Sequence, residues 1–226
     1  MEGMTRCTMI LRMRHFAVVT ILLALLLGAT GTARGAALLF EDFAWGMPKS
    51  ELAKWPGAAP GEDSFAGDLL LPEALFASMP WTVRLEFAKE RLVRVTLIER
   101  YSRERLDAVT RQLRVDKFEM LSVLIDDSYL DLVKTLKTVG PDGLREAWAG
   151  FVQGKTPERM IYAWFETSGM AEDIKLMAGS LEQLLMMVAP ETREAEVIVL
   201  RDPDTSAPGA LLVSFSFPVL QKMEAP

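Results

Sequence analysis

The string AGFVQGKT, Ala149 to Thr156, satisfies the loose spacing of a phosphate-binding loop: a small residue, four of any kind, then Gly-Lys-Thr. Such a loop works because free N–H groups at a helix start cradle the phosphate oxygens. A buried strand must therefore precede it, and a helix must begin at the Lys. Here LREAW, before the loop, has a helical pattern, and the aromatic run RMIYAWFE after Pro157 points to a strand. The spacing predicts a helix end followed by a turn, and no nucleotide site. A second cluster, DDSYLD, brings together Asp126, Asp127 and Asp131. A Ca²⁺ loop places oxygen ligands at nearly every second position around a Gly, and neither feature is present. Asp127 or Ser128 is expected to cap a helix there, with Asp131 favoured by the helix dipole. Asp202 and Asp204 are expected as turn residues.

The absent residues are as informative. The only Cys is Cys7 and the only His is His15, so the chain beyond residue 37 has neither. Thiolate and imidazole metal sites are excluded there, as are Cys-His and Ser-His-Asp nucleophiles. Carboxylate chemistry stays open. Four of the 25 basic and one of the 31 acidic residues lie within residues 1–37, which leaves 21 against 30 and a net charge of −9. That balance opposes nucleic acid, whose affinity comes from Lys and Arg on phosphates. No cofactor site is expected.

Aromatic side chains are the remaining candidates for binding. Trp45, Trp55, Trp81, Trp148 and Trp164 all lie beyond the leader, and the first four are the candidate contacts for a ligand or partner, should their rings line a groove. The segment LLMMV, Leu184 to Val188, offers adaptable Met side chains on a stripe whose spacing suits a buried helix.

The elements that position these residues begin with a leader. Arg6, Arg12 and Arg14 precede the apolar run Phe16 to Ala29 and the small residues up to Ala37. Residues 1–37 are expected to be a cleaved signal peptide, which places residues 38–226, a single domain, in the periplasm or outside the cell. At about 14 residues the run falls short of the roughly 20 a spanning helix needs, so no stable span is expected after cleavage.

Pro48 to Lys54 reads as a short helix stopped by Pro56-Gly57. Val83, Leu85 and Phe87, then Val93, Val95 and Leu97, alternate with polar residues around Lys89-Glu90, predicting a hairpin with one apolar face. Asp116 to Gly154 reads as mostly helical, Arg159 to Glu166 as a strand, and Met170 to Val188 as the strongest helix. A second hairpin closes the chain. The expected fold is α+β: a largely antiparallel sheet built from two hairpins plus a single strand, with helices packed on one face.

The segment FEDFAWG, with Phe43, Trp45 and Gly46, and the hairpin VRLEFAKERLVRVTLIERY resemble a group of small exported proteobacterial proteins of unknown function, whose mature part opens on Phe-x-x-Trp-Gly. The hairpin turn here lacks the Gly common in that group. The resemblance implies export and supplies no catalytic residue. The expected function is a non-catalytic binding or envelope accessory module, whose partner is an envelope protein, a peptide or a small apolar ligand. The alternative is a carboxylate-dependent hydrolase of an envelope glycan or ester.

Overall fold

The structure, a computed structural model, describes residues 37–61, 67–205 and 207–224. The signal peptide expected over residues 1–37 lies outside them except for Ala37. FEDFAWG folds as a tight hairpin of β1 (Leu38–Phe40) and β2 (Phe43–Ala44), in which Phe40 stacks on Phe215 with centroids 5.2 Å apart. One turn of helix, α1 (Lys49–Leu52), follows Pro48 and buries Leu52. Then come β3 (Ala59–Pro60), β4 (Leu69–Phe76), β5 (Met79–Ala88) and β6 (Arg91–Arg100). Next are α2 (Arg103–Val115), β7 (Phe118–Ile125), β8 (Ser128–Asp131) and the long α3 (Leu132–Val152). After β9 (Arg159–Glu166), the short α4 (Glu172–Met177) and α5 (Leu181–Met187) precede β10 (Glu194–Arg201), β11 (Pro208–Ser216) and α6 (Pro218–Glu224). From Ala37 onward the described residues group as one compact unit.

Nine strands form one antiparallel sheet in the order β3-β4-β5-β6-β11-β10-β9-β7-β8. Alternation decides what each face carries. One transverse row runs Val83, Leu97, Val213, Val197, Tyr162, Val123 and Leu130 across seven strands. The next row, on the opposite face, runs Arg84, Thr96, Ser214, Glu196, Ala163, Ser122 and Asp131. The first face carries the main core, where Val83, Leu85, Val95 and Leu97 are fully buried and α2 adds Val109 and Leu113. Each such side chain contributes about 1.5–3 kcal/mol by leaving water.

Two hairpin turns use the mirror-image geometry that matches strand twist: Ala77-Ser78 and Lys89-Glu90 all have positive φ. Lys89 and Glu90 form the turn expected for the first hairpin, and Asp202 Oδ1 accepts from the N–H groups of Asp204 and Thr205 in the turn of the last.

Several expectations are corrected. The helices are not confined to one face. Trp164 belongs to the core under α2, whereas its neighbours Ala163 and Phe165 pack with Ala178, Leu181 and Leu184 from the α4–α5 segment. Both faces of β9 are apolar, so both recruit cover. The sheet also extends well beyond two hairpins and a strand, because Leu69–Phe76 and Phe118–Asp131 are extended. A β-bulge between Met120 and Ser122 shifts the alternation of β7 by one residue, so Leu121, Leu124 and Ile125 mimic helical spacing.

Asp131, not Asp127 or Ser128, caps α3: its Oδ1 accepts from the Lys134 N–H at 2.9 Å. The helix expected from Met170 to Val188 is two short helices, broken where Ser180 becomes the cap of the second. Gly140, at φ 70° and ψ −178°, interrupts α3 where the Gly140-Pro141 pair is expected to end one helix, and the helix expected to follow, with Leu144, Trp148 and Phe151, continues to Val152.

Candidate functional site

The bend at Gly140 lets α3 serve two clusters. Before it, Val133 packs with the α4–α5 layer; after it, Leu144, Trp148 and Phe151 pack on Val123 and Ile125. Between these halves, β7 and the two short helices lies a cavity of about 660 Å³. This falls within the range of roughly 300–1,000 Å³ typical of small-molecule sites. Ten of its fourteen lining residues are Leu, Met, Val or Pro. Leu132, Val133 and Leu136 come from α3, Met120 and Leu121 from β7, and Leu176 and Leu184 from the short helices.

Asp131 fixes the geometry at one end. Besides capping α3, its Oδ2 accepts from the Leu181 N–H at 2.9 Å, so one carboxylate ties the starts of α3 and α5 together. Ser180 Oγ completes the α5 start by accepting from the Gln183 N–H at 3.2 Å. The four polar lining residues are Glu119, Lys137, Thr167 and Lys175. Lys175 Nζ lies 2.8 Å from Glu119 Oε1, and Thr167 Oγ1 donates to the same oxygen at 3.0 Å. Lys137 Nζ donates to the Leu176 main-chain carbonyl.

A second arrangement lies on the polar face of the sheet. Thr96 Oγ1 donates to Glu86 Oε1 at 2.9 Å and lies 3.1 Å from Ser214 Oγ. Arg94 stands between Glu86 and Glu196, at 4.0 and 3.6 Å. Ser216 Oγ donates to Glu194 Oε2 at 3.4 Å. Burial, and then the charge of Glu196, push the Glu194 carboxyl up to about 7, against the opposing pull of Arg94, Ser216 and Lys222. Glu194 and Glu196, two residues apart on β10, are one pair of interacting carboxylates of the kind the hydrolase alternative calls for. The apolar cavity is lined by neither.

The structure disperses the four Trp candidates, each against a different ring. Trp45 meets Phe217 edge-on, tying the N-terminal segment to the end of β11. Trp55 lies on Phe43 and lines a smaller cavity of about 260 Å³ with Pro72 and Glu73. Trp81 is buried, its Nε1 donating to the Phe76 carbonyl at 3.1 Å beneath the Arg105 guanidinium. Trp148 packs on Tyr162. The large cavity is lined by none of them.

The residues that do line it carried a signal that periodicity alone does not decode. Leu176 and Met177 are adjacent apolar residues on a short helix, which cannot turn both inward; they are 71% and 73% exposed. Leu184 of the LLMMV segment lines the cavity, while Met186 faces solvent.

AGFVQGKT forms the end of α3 and a turn with Gly154 at φ 70°, and β9 follows, so helix and strand stand in the reverse of the order a phosphate loop needs. Of the acidic cluster, Asp126 accepts from the Glu158 and Arg159 N–H groups and pins the start of β9. No group of three His, Cys, Asp or Glu among the described residues is arranged to hold a metal ion, and no described helix is long and apolar enough to cross a membrane. Comparison with protein-family models, curated proteins and solved structures finds no match to this chain.

Proposed function

We propose that this chain is an exported, non-catalytic binding protein that holds a small apolar ligand, or the apolar part of a larger one, between α3, β7, α4 and α5. The observation that carries the reading is the cavity of about 660 Å³ with its apolar lining. Contiguous apolar surface left open to water costs about 25 cal/mol per Å², so a ligand that covers it recovers that free energy. Leu136 and Leu176, both exposed at the cavity, stand to gain most.

The test is titration of the purified protein with dodecanol, followed through the methyl NMR signals of Met120 and Met170, which line the cavity. Binding should move both signals. Leu136→Trp, which places an indole across the cavity, should abolish the shifts without lowering the melting temperature. Dodecanol that binds equally well to Leu136→Trp, or moves neither signal, would overturn the assignment.

The hydrolase reading is favoured by one specific observation: Glu194 is held protonated toward neutral pH beside Glu196, as a general acid beside a carboxylate must be. It predicts glycan or ester turnover that Glu194→Gln abolishes. Absence of turnover by the wild-type protein on envelope glycan and ester substrates would sink it.

A further inference from the structure

The charges at the cavity point to the class of ligand, given the binding reading above. Two ammonium groups, Lys137 and Lys175, and one carboxylate, Glu119, are the ionisable groups of the lining. Glu119 is paired with Lys175: its Oε1 takes the ammonium at 2.8 Å and the Thr167 hydroxyl at 3.0 Å. Lys137 has only a neutral acceptor, the Leu176 carbonyl, and pairs with no carboxylate among the described residues. The cavity therefore presents one uncompensated positive charge beside an apolar space. An ammonium there that exchanges the carbonyl for a carboxylate gains an opposite charge at hydrogen-bond distance, which the carbonyl does not supply.

We infer that the ligand is a single-chain amphiphile with a monoanionic head, that is, a fatty acid carboxylate. Its chain would lie among the Leu and Met side chains, and its head would take Lys137 from the Leu176 carbonyl. Charge favours a carboxylate over a phosphate monoester, which brings about −1.5 to −2 at neutral pH to a site offering a single net positive charge. The chain as a whole is acidic, with a formal charge of −6, so general electrostatic attraction does not account for anion capture; the local charge of Lys137 does. Lys suits this role as a point charge at the end of an apolar stem, which can itself line the cavity.

Calorimetric titration of the purified, delipidated protein with dodecanoate and dodecyl phosphate, each below its micelle concentration, and with dodecanol below its solubility limit, tests the inference. Dodecanoate should bind at least tenfold more tightly than dodecanol. That margin should vanish in Lys137→Met, which keeps the stem and removes the charge, and return in Lys137→Arg. Affinity across the saturated acids should rise about fourfold per added methylene until the cavity is filled. Equal binding of dodecanoate and dodecanol by the wild type would overturn the head-group inference and leave the cavity reading standing. Failure of all three ligands to bind would overturn the cavity reading itself. Dodecyl phosphate binding tighter than dodecanoate would refute the monoanion assignment. A margin unchanged in Lys137→Met, with thermal unfolding unchanged, would place the head elsewhere.

Discussion

Glu194 gives the sharpest quantitative expectation, because the rest of the chain is nearly silent in its titration range. Its carboxyl is raised from 4.5 to about 7, first by burial and then by Glu196. In the unfolded chain it titrates near its ordinary value. Between those two values the native state holds a proton that the unfolded state has released, so stability falls as pH rises. Any penalty is absent below about pH 4.5 and complete above about pH 7. A displacement of this size corresponds to about 3 kcal/mol. No His or Cys follows residue 37, so few other side chains have ordinary titrations between pH 5 and 8. Glu41 is also raised, by burial and Asp42, and moves stability in the same direction.

The assay is urea unfolding of the purified wild-type protein and of Glu194→Gln at intervals from pH 5 to pH 8. The amide keeps an acceptor for the Ser216 hydroxyl and cannot ionise. The wild type should lose up to about 3 kcal/mol more than the variant over that interval, and the variant should be the more stable protein at pH 8. At pH 5, where the wild-type carboxyl is mostly protonated, the two should agree to within about 1 kcal/mol. Parallel curves from pH 5 to pH 8 would refute the argument, since they would mean that Glu194 ionises as freely in the folded protein as in the unfolded one.

Asp131→Ala removes the acceptor of two helix starts, Lys134 N–H and Leu181 N–H, and should cost about 2–3 kcal/mol in urea unfolding, with ligand affinity at the cavity falling alongside. Gly140→Ala should cost about 1–3 kcal/mol for backbone reasons alone, because φ 70° with ψ −178° is a glycine conformation and no atom would crowd the added methyl; a neutral result by thermal unfolding would show the bend to be unstrained. Trp81→Ala should lower stability by about 3–5 kcal/mol, since the ring is 1% exposed and its N–H holds the Phe76 carbonyl; a loss under 1 kcal/mol would contradict its place in the core.

What the sequence made legible was whatever depends on an unbroken period. Val83, Leu85, Val95 and Leu97 share the buried face as expected, and their hairpin forms on a turn with no Gly at all, but a register shift after Glu86 buries Leu92 where Val93 is expected. The strands expected over Glu196 to Leu200 and Leu211 to Leu220 form as a hairpin, except that the second ends at Ser216 and Pro218 to Leu220 belong to α6. The reading failed where one residue resets the phase. In β7 the bulge after Met120 turned a strand into apparent helical spacing. The Trp candidates rested on residue type, which does not show whether a ring has a partner. Trp45, Trp55, Trp81 and Trp148 each have one, and Trp55 also lines the smaller cavity.

The same discontinuities create the cavity. An unbroken helix from Met170 to Val188 would carry Met170, Ile174, Met177, Leu181, Leu184 and Val188 as one stripe and press all of it against the sheet. The extended residues Ala178 and Ser180 divide it instead. Leu181 and Leu184 stay buried on Ala163 and Phe165, while Leu176 and Met177 are left facing outward. Opposite them, the bend at Gly140 sends the second half of α3 to another cluster, so the Leu136 surface gains no cover from its own helix. The two interruptions thus leave apolar walls apart, with Asp131 holding the starts of α3 and α5 together. Closing either break should shrink the cavity and raise stability at the expense of binding. That opposition is what separates a ligand site from an accident of packing.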